Sequence, residues 1–270
     1  MVLMSDPSPG FLSPFGRPDG PPAWREDALL GGRVRLLQPL AGYRAAIDPV
    51  LLAAAADPAP GARVLDAGTG TGAALLCLAA RRPDLDVTGL ELQALPAALA
   101  AMALAHTGGR GRIWAGDLGH PPPELGPAFD MVITNPPYRA AGTGTEAPHA
   151  QRRRAHHETP DMPLARWIAC CLALLKPRGR LLLIQRADRL DAIVSALQGP
   201  AGDLTIFPVW PRAGQPAHRV IVAARKGGRG PLRLLAGLCL HENDSSRYTP
   251  DAEAVLRDAA ALDLDPRGRR

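Results

Sequence analysis

Residues 63–82 read RVLDAGTGTGAALLCLAARR. The short apolar run Arg63–Ala67 predicts a buried strand, and the glycines behind it let the backbone turn tightly. Ala73–Arg82 then has the length and composition of a helix. A strand that enters a helix through a glycine-rich turn indicates an α/β protein, because a strand–helix–strand unit begins in this way.

The rest of the chain continues this alternation. The segments that read as strands are Arg63–Ala67, Asp86–Glu91, Arg112–Asp117, Phe129–Thr134 and Arg180–Gln185, with Leu204–Trp210 and Arg219–Arg225 as a closing pair. The segments that read as helices are Ala73–Arg82, Ala94–His106, Leu164–Leu175, Asp188–Leu197 and a last short one from Pro250 to about Ala261. The alternation predicts a doubly wound, mostly parallel seven-stranded sheet with helices on both faces.

The domain organisation follows from length and composition. The chain has 270 residues, enough for one sizeable core. Residues 1–24 carry six prolines and three glycines, so we expect a disordered leader there and a single domain over residues 25–270. No apolar run approaches the roughly 20 residues of a membrane-spanning helix, and no secretory signal is visible. We therefore expect a cytoplasmic protein without membrane contact.

Cysteine spacing and charge narrow the classes of partner. The four cysteines, at positions 77, 170, 171 and 239, fit no zinc or redox motif, and we expect no metal. The net charge is +5, with 31 Lys and Arg against 26 Asp and Glu. This excess favours a polyanionic partner such as RNA, although a GC-rich genome, which favours arginine codons, would produce the same composition. The oligomeric state stays open, and a monomer is assumed.

The loops that follow parallel strands gather at one edge of the sheet, where ligands bind. Glu91, at the end of the second predicted strand, could accept both hydroxyls of a ribose. Asp117, after the third, could accept from an adenine amino group. The glycine loop after the first strand also fits the nicotinamide fingerprint Gly68-x-Gly70-x-x-Ala73, whereas a phosphate-binding P-loop is excluded because no Gly-Lys-Ser/Thr follows.

The fourth predicted strand runs directly into Asn135-Pro136-Pro137-Tyr138. Two consecutive prolines fix the backbone and push Asn135 into an extended conformation, which predicts a rigid shelf with an aromatic ring at its end. Here the sequence resembles the amino-methylating class of S-adenosylmethionine methyltransferases, whose signature is Asn/Asp-Pro-Pro-Tyr/Phe/Trp after strand four. The resemblance implies a Rossmann-like class I methyltransferase fold and S-adenosyl-L-methionine as the cofactor, and it disfavours a nicotinamide enzyme.

In that class the shelf carries the chemistry, so the expected catalytic residues are Asn135, Pro136, Pro137 and Tyr138. An exocyclic amine on adenine is a poor nucleophile because its lone pair is delocalised into the ring. The Asn135 side-chain oxygen and the Pro136 carbonyl would accept its hydrogens and draw the nitrogen towards a tetrahedral shape. Tyr138 could stack on the planar group and stabilise the developing charge.

Two further segments narrow the family. Residues 36–52, LLQPLAGYRAAIDPVLL, taken with the shelf, are similar to the bacterial tRNA(valine) adenine-N6 methyltransferase family, and so are residues 240–249, LHENDSSRYT. The family resemblance implies tRNA as the partner and adds Tyr43, Arg44 and Asp48 to the cofactor site. The expected cofactor-binding residues are Tyr43, Arg44, Asp48, Asp66, Ala67, Gly68, Thr69, Gly70, Gly72, Glu91, Leu92, Asp117, Leu118 and Asn135.

The segment after the shelf, residues 139–160, contains a basic cluster. Arginines beside an active site could hold RNA phosphates and orient a loop base. The expected substrate-binding residues are Arg139, Arg152, Arg153, Arg154 and His156. A solvated loop whose arginines reflect genome composition is the alternative.

Three other functions remain open. A glutamine-N5 methyltransferase of release factors shares the shelf, but it usually has a helical N-terminal substrate domain that the residues before Arg63 are too few to form. A ribosomal guanine-N2 methyltransferase more often has Phe after the prolines and a second, duplicated domain. A non-catalytic RNA-binding protein on the same scaffold would not need the complete set of Asp66, Glu91, Asp117 and Asn135.

Overall fold

The computed structural model describes residues 24–40, 45–107, 110–138 and 159–265. The first described element is a hairpin that the sequence did not predict: β1 (Trp24–Leu29) pairs antiparallel with β2 (Val34–Pro39). Trp24 therefore belongs to a strand, and the rest of the expected leader lies outside the described residues. The Arg35 side chain donates through Nε to a carboxylate oxygen of Glu26 at 2.8 Å, diagonally across the hairpin, and this contact favours the strand pairing.

Within the ranges that the structure describes, the main sheet has nine strands. Their bounds are β3 (Arg63–Ala67), β4 (Asp86–Glu91), β5 (Gly111–Ala115), β6 (Phe129–Thr134), β7 (Leu175–Arg186), β8 (Ala201–Trp210), β9 (Arg219–Lys226), β10 (Arg233–Leu234) and β11 (Leu238–Cys239). Their order is β10-β8-β9-β7-β6-β3-β4-β5, and β11 also pairs with β8. Of the described strands in this sheet, only β9 runs antiparallel to its neighbours. The predicted seven strands are present, and two strands of two residues each extend the β8 edge.

Helices cover both faces of this sheet, as predicted. They are α1 (Asp48–Ala55), α2 (Ala73–Arg81), α3 (Ala94–His106), α4 (Leu164–Leu174), α5 (Leu190–Leu197) and α6 (Pro250–Arg257). One apolar core joins α1, α2, α3, α6 and the hairpin to one face, and a second core joins α4 and α5 to the other. Strand β6 supplies both: Met131 and Ile133 belong to the first core and Val132 to the second, because successive side chains point to opposite faces.

Several element boundaries differ from the expected ones. Strand β7 begins at Leu175 rather than Arg180, and Arg178 takes a positive φ of 65° within it. Strand β5 ends at Ala115 because the Asp117 carboxylate accepts the backbone N–H of Gly119 and turns the chain. The last helix ends at Arg257 rather than near Ala261.

The topology brings distant residues to one edge of the sheet. Strands β3, β4, β5 and β6 are parallel, so their carboxyl ends meet there. Because β9 is antiparallel, its first residue, Arg219, lies at the same edge. The hairpin reaches this edge through Gln38, whose side-chain oxygen accepts the backbone N–H of Ala45 at 2.7 Å. In the described part of the chain, no helix has both the length and the apolar character needed to cross a membrane.

Candidate active site

A cleft of about 450 Å³ opens at the carboxyl edge of the sheet. Its walls come from the loops after β3, β4, β5 and β6 and from helix α4. The expected site residues that line it are Asp66, Gly68, Thr69, Gly70, Glu91, Leu92, Asp117, Leu118, Asn135, Pro137 and Tyr138. Ala67 and Pro136 lie next to these residues in the chain, and Gly72 lies between the lining residues Thr71 and Ala73. The structure therefore brings the ends of the four predicted strands together around one cavity.

The glycine loop is fixed by the strand beside it. The backbone N–H groups of Gly68 and Thr69 both donate to the Leu90 carbonyl oxygen, at 2.8 and 3.0 Å. Gly68 has a φ of +72°, and a Cβ there would lie 2.7 Å from Cζ2 of Trp167. Only glycine fits this position, because the left-handed conformation and the ring contact both exclude a side chain.

Asp66 lies beneath the loop and is 3% exposed. Its carboxyl accepts the Thr69 hydroxyl at 2.7 Å. Burial raises the pKa of Asp66 to about 7, and the Thr69 hydrogen bond only partly opposes this shift. The group therefore changes charge near neutral pH.

Glu91 follows β4 and is 7% exposed. Its two carboxylate oxygens accept the backbone N–H groups of Gly70 and Gln93, at 2.9 and 2.8 Å. Burial raises the pKa of Glu91, while these backbone donors act in the opposite direction. From the end of β4, Glu91 thus holds the glycine loop in place and still presents lone pairs to the cleft. Its neighbour Leu92 is exposed at the rim.

Asp117 forms the third wall and is more open to solvent. Its carboxylate accepts the backbone N–H of Gly119 at 2.8 Å and lies 3.2 Å from Nδ1 of His120. The Gly119 hydrogen bond, with His120 adding to it, holds the pKa of Asp117 below its ordinary value. The next residue, Leu118, is buried. Asp117 is consequently ionised at neutral pH and available as an acceptor.

The shelf after β6 is held from behind by one side chain. Gln185 is fully buried, and its Nε2 donates to the Pro137 carbonyl oxygen at 3.0 Å, with the Pro136 carbonyl oxygen 3.4 Å away. The Asn135 side-chain oxygen is buried and has no hydrogen-bond partner within the described ranges. A buried polar atom without a partner is costly unless a ligand satisfies it, so the Asn135 side-chain oxygen is a candidate acceptor for a ligand.

Tyr138, at the end of the shelf, contacts two residues from distant parts of the chain. Its hydroxyl donates to Oδ2 of Asp48 at 2.9 Å, and Nε of Arg219 donates to the same oxygen at 2.8 Å. The Arg219 guanidinium also lies over the Tyr138 ring, with Cζ 5.2 Å from the ring centroid. We call these three side chains the Tyr138 clamp.

The side chains that hold the glycine loop, the shelf and Tyr138 in place include four that were not predicted from the sequence: Thr134, Trp167, Gln185 and Arg219. Trp167 donates its indole N–H to the Thr134 hydroxyl at 2.9 Å, and Thr134 donates to the Ala67 carbonyl oxygen at 2.7 Å. Of the four, only Thr134 is adjacent to a motif. The others act through contacts between elements far apart in the chain, which no local spacing signals.

Several expected residues lie outside the described residues: Tyr43 and Arg44 of the cofactor set, and all of the RNA-binding set, Arg139, Arg152, Arg153, Arg154 and His156. Their roles stay predictions. Across the ranges that the structure does describe, no group of three or more His, Cys, Asp or Glu could hold a metal ion.

Comparison with known proteins extends these observations. The family model described as "Methyltransferase small domain" matches residues 47–189. A tRNA1(Val) (adenine(37)-N6)-methyltransferase of Porphyromonas gingivalis is 37% identical over 156 residues, which are 54% of this chain and 60% of that protein. The protein of the same name from Aeromonas hydrophila is 30% identical over 207 residues, covering 74% of this chain and 85% of that protein. The chain thus spans about three fifths of the P. gingivalis relative and more of the A. hydrophila one.

Two solved structures share the fold. A protein from Agrobacterium tumefaciens described as a predicted O-methyltransferase superposes with a TM-score of 0.66 at 29% identity, covering 80% of this chain and 98% of that one. A SAM-dependent O-methyltransferase of Thermotoga maritima gives a TM-score of 0.50 at 19% identity, covering 70% of this chain and 68% of that one. The strand order, the shelf and these matches agree, and the chain therefore belongs to the methyltransferase small domain family and has the Rossmann-like class I fold.

Proposed function

We propose that the protein transfers a methyl group from S-adenosyl-L-methionine to the exocyclic N6 of an adenine in tRNA. The observation that carries the proposal is the Asn135 side-chain oxygen, which is buried beside the cleft without a partner among the described residues. An oxygen in this position needs a hydrogen-bond donor, and an amino group supplies one.

The residues present fit the proposed cofactor. The cleft volume of about 450 Å³ lies in the range of roughly 300–1,000 Å³ found for small-molecule sites. Glu91 would hold the ribose hydroxyls and Asp117 the adenine amino group, while Gly70, where an added Cβ would meet no atom within 4 Å, leaves room for close approach. When bound, the cofactor supplies an electrophilic methyl group.

The shelf would then prepare the nitrogen that receives the methyl group. Asn135 accepts one amino hydrogen through its side-chain oxygen, and the Pro136 carbonyl accepts the other. Gln185 orients the carbonyl groups of Pro136 and Pro137. The Pro136 carbonyl oxygen has two lone pairs, so it retains one for the substrate while it is in contact with Gln185. Tyr138 stacks on the planar base. Holding two reactants in this geometry supplies several of the kcal/mol that the reaction requires.

The names of the relatives support tRNA as the substrate, since the P. gingivalis and A. hydrophila proteins are both called tRNA1(Val) (adenine(37)-N6)-methyltransferases. Arg152, Arg153 and Arg154 would bind phosphates near the shelf. Methylating a loop adenine costs less than methylating a paired one, because the loop base is already unstacked or nearly so. With tRNA as the proposed substrate, we place the protein in the cytoplasm.

The experiment that tests this function offers several acceptors in parallel. Purified protein is incubated with methyl-labelled S-adenosyl-L-methionine and unmodified tRNA, ribosomal RNA or release factor, and digestion with mass spectrometry locates the label. We expect N6-methyladenosine from tRNA. Label in guanosine or glutamine would overturn the substrate and support one of the other two methyltransferase classes. Cofactor binding without label in any acceptor would contradict the proposal and favour a binding-only role.

A further inference from the structure

We infer that Asp48 and Arg219 are positioning residues, which set the orientation of Tyr138 for the methyl acceptor, and that Asp48 does not bind the cofactor. The inference rests on the proposed function and deepens it. It assigns Asp48 a different role from the one that the family resemblance implied.

The Asp48 carboxylate is largely buried and has its own partners. Its side chain is 9% exposed, and a carboxylate that is removed from water requires charged or hydrogen-bonding partners. Its oxygen Oδ2 accepts from both Arg219 and Tyr138. Asp48 also lies in the first turn of α1, where the helix dipole favours a negative charge. These contacts account for the carboxylate without a cofactor.

Asp48 lies behind the wall of the cleft rather than in it. Among the described residues that line the cavity are Pro49 and Tyr138, but Asp48 is not one of them. The carboxylate therefore reaches the site through the Tyr138 hydroxyl. In this arrangement a change at Asp48 alters the ring and leaves the cofactor walls, Glu91 and Asp117, in place.

Arg219 supplies the second constraint on the ring. A guanidinium within about 6 Å of a ring centroid is attracted to the aromatic face, and Arg219 meets this condition at 5.2 Å. The Asp48 hydrogen bond fixes the hydroxyl end of Tyr138, and Arg219 covers one face of the ring. These two contacts orient the ring before the base arrives.

Arg219 can fill this role because its backbone is rigid. It pairs with Arg186 of β7 on one side and with Val209 of β8 on the other. Its NH1 also donates to the His218 carbonyl oxygen at 3.2 Å. A side chain on a strand that is paired on both sides holds its partner more accurately than one on a loop.

The first test separates positioning from cofactor binding. For Arg219→Gln and Asp48→Asn we expect kcat with the methyl acceptor to fall about 10- to 100-fold, as a misplaced reacting group would cause. The dissociation constant of S-adenosylhomocysteine should change less than about 2-fold, since Glu91 and Asp117 are untouched. Arg219→Lys should recover part of kcat, because the cation near the ring is kept.

The matched control is Arg225→Gln. Arg225 lies at the other end of β9, where it pairs with Asp203 at 3.4 Å, and we expect wild-type kinetics from this variant. A second readout uses 3-fluorotyrosine and fluorine NMR, which is practical because the chain has only three tyrosines. Tyr138→Phe assigns the Tyr138 signal. This signal should shift or broaden in Arg219→Gln and Asp48→Asn, and it should stay unchanged in Arg225→Gln.

The outcomes distinguish this inference from the proposed function. A weakening of S-adenosylhomocysteine binding by more than about 10-fold in Asp48→Asn would make Asp48 a cofactor ligand and overturn the inference. An unmoved Tyr138 signal would overturn it as well. If the wild-type protein methylates another acceptor, only the proposed substrate fails, and kcat with that acceptor tests the clamp. If Arg219→Gln does not fold, Asp48→Asn gives the same readouts.

Discussion

Trp167 lies against the backbone of Gly68 so closely that a Cβ at residue 68 would be 2.7 Å from its ring. The same indole donates to the Thr134 hydroxyl, one residue before the shelf. Helix α4 therefore contacts the glycine loop and the end of β6 with a single side chain. This arrangement connects the two halves of the cleft and makes the loop sensitive to any added volume.

The first prediction concerns this contact. Gly68→Ala should lower the free energy of unfolding by more than the roughly 1–2 kcal/mol that a left-handed alanine costs, because the ring of Trp167 must also move. Cofactor affinity should fall at least about 10-fold. Gly61→Ala is the matched control, since Gly61 has a φ of +69° with no atom within 4 Å of the added Cβ. Denaturant unfolding and calorimetry with S-adenosylhomocysteine measure both effects, and equal losses in the two variants would refute the contact.

The second prediction concerns the buried Asp66. Its folded-state pKa of about 7 lies above the ordinary value of 3.8, so the folded protein keeps a proton that the unfolded chain has released. The stabilisation by the protonated form is complete below about pH 4 and is lost as the pH rises to about 7. The loss is up to about 1.4 kcal/mol per pH unit.

Asp66→Asn removes this titration and keeps an acceptor for the Thr69 hydroxyl. Urea unfolding of both proteins is measured at roughly pH 4.5, 6 and 8, which span the titration. It gives the difference in unfolding free energy between wild type and Asp66→Asn at each pH. We expect wild type to lose stability relative to Asp66→Asn between the first and the last pH. A difference that does not change with pH would show that Asp66 does not titrate in this range.

The third prediction tests the shelf. Asn135→Ala should reduce kcat at least about 100-fold, the size of effect seen when one group that stabilises a transition state is removed. Cofactor affinity should stay nearly intact. Asn135→Asp is the matched variant, because it keeps an oxygen acceptor at the same place and aspartate also occurs in the signature. Single-turnover kinetics measure the change, and undiminished turnover in Asn135→Ala would rule out the proposed role.

The fourth prediction concerns the basic cluster after the shelf. Replacing Arg152, Arg153 and Arg154 with alanine should weaken tRNA binding and reduce the slope of log K against log salt by about 2 to 3, if each arginine contacts one phosphate. A control variant removes the same charge from the exposed residues Arg110, Arg112 and Arg229, which lie at the edge of the sheet opposite the cleft. The same slope for the Arg152–Arg154 variant and wild type would leave the cluster as a solvated loop.

The parts of the fold and of the candidate site that could be predicted are those that depend on local sequence patterns. The bounds of α3, Ala94–His106, match the expected ones, because apolar spacing and length are properties of a single segment. The position of Asn135 also follows from local signals, since its strand and two prolines are adjacent. The hairpin of β1 and β2 was missed because its first strand is largely exposed and follows a proline-rich stretch. Gln185 and Arg219 were missed because their roles arise only when β7 and β9 meet the shelf.

The insertion of β9 between β7 and β8 has a consequence for synthesis on the ribosome. Strand β8 is made first, yet it reaches the sheet only through β9, and the Arg219–Asp48 contact spans 171 residues. Pairings between distant segments form slowly, because chain closure must precede the gain from contact. We therefore expect the nascent chain to assemble the loops around β3 to β6 early. The Tyr138 ring would gain its fixed orientation only after residue 226 has emerged. A chain cut short before β9 would therefore fold the cofactor cleft but leave Tyr138 without its contact to Arg219.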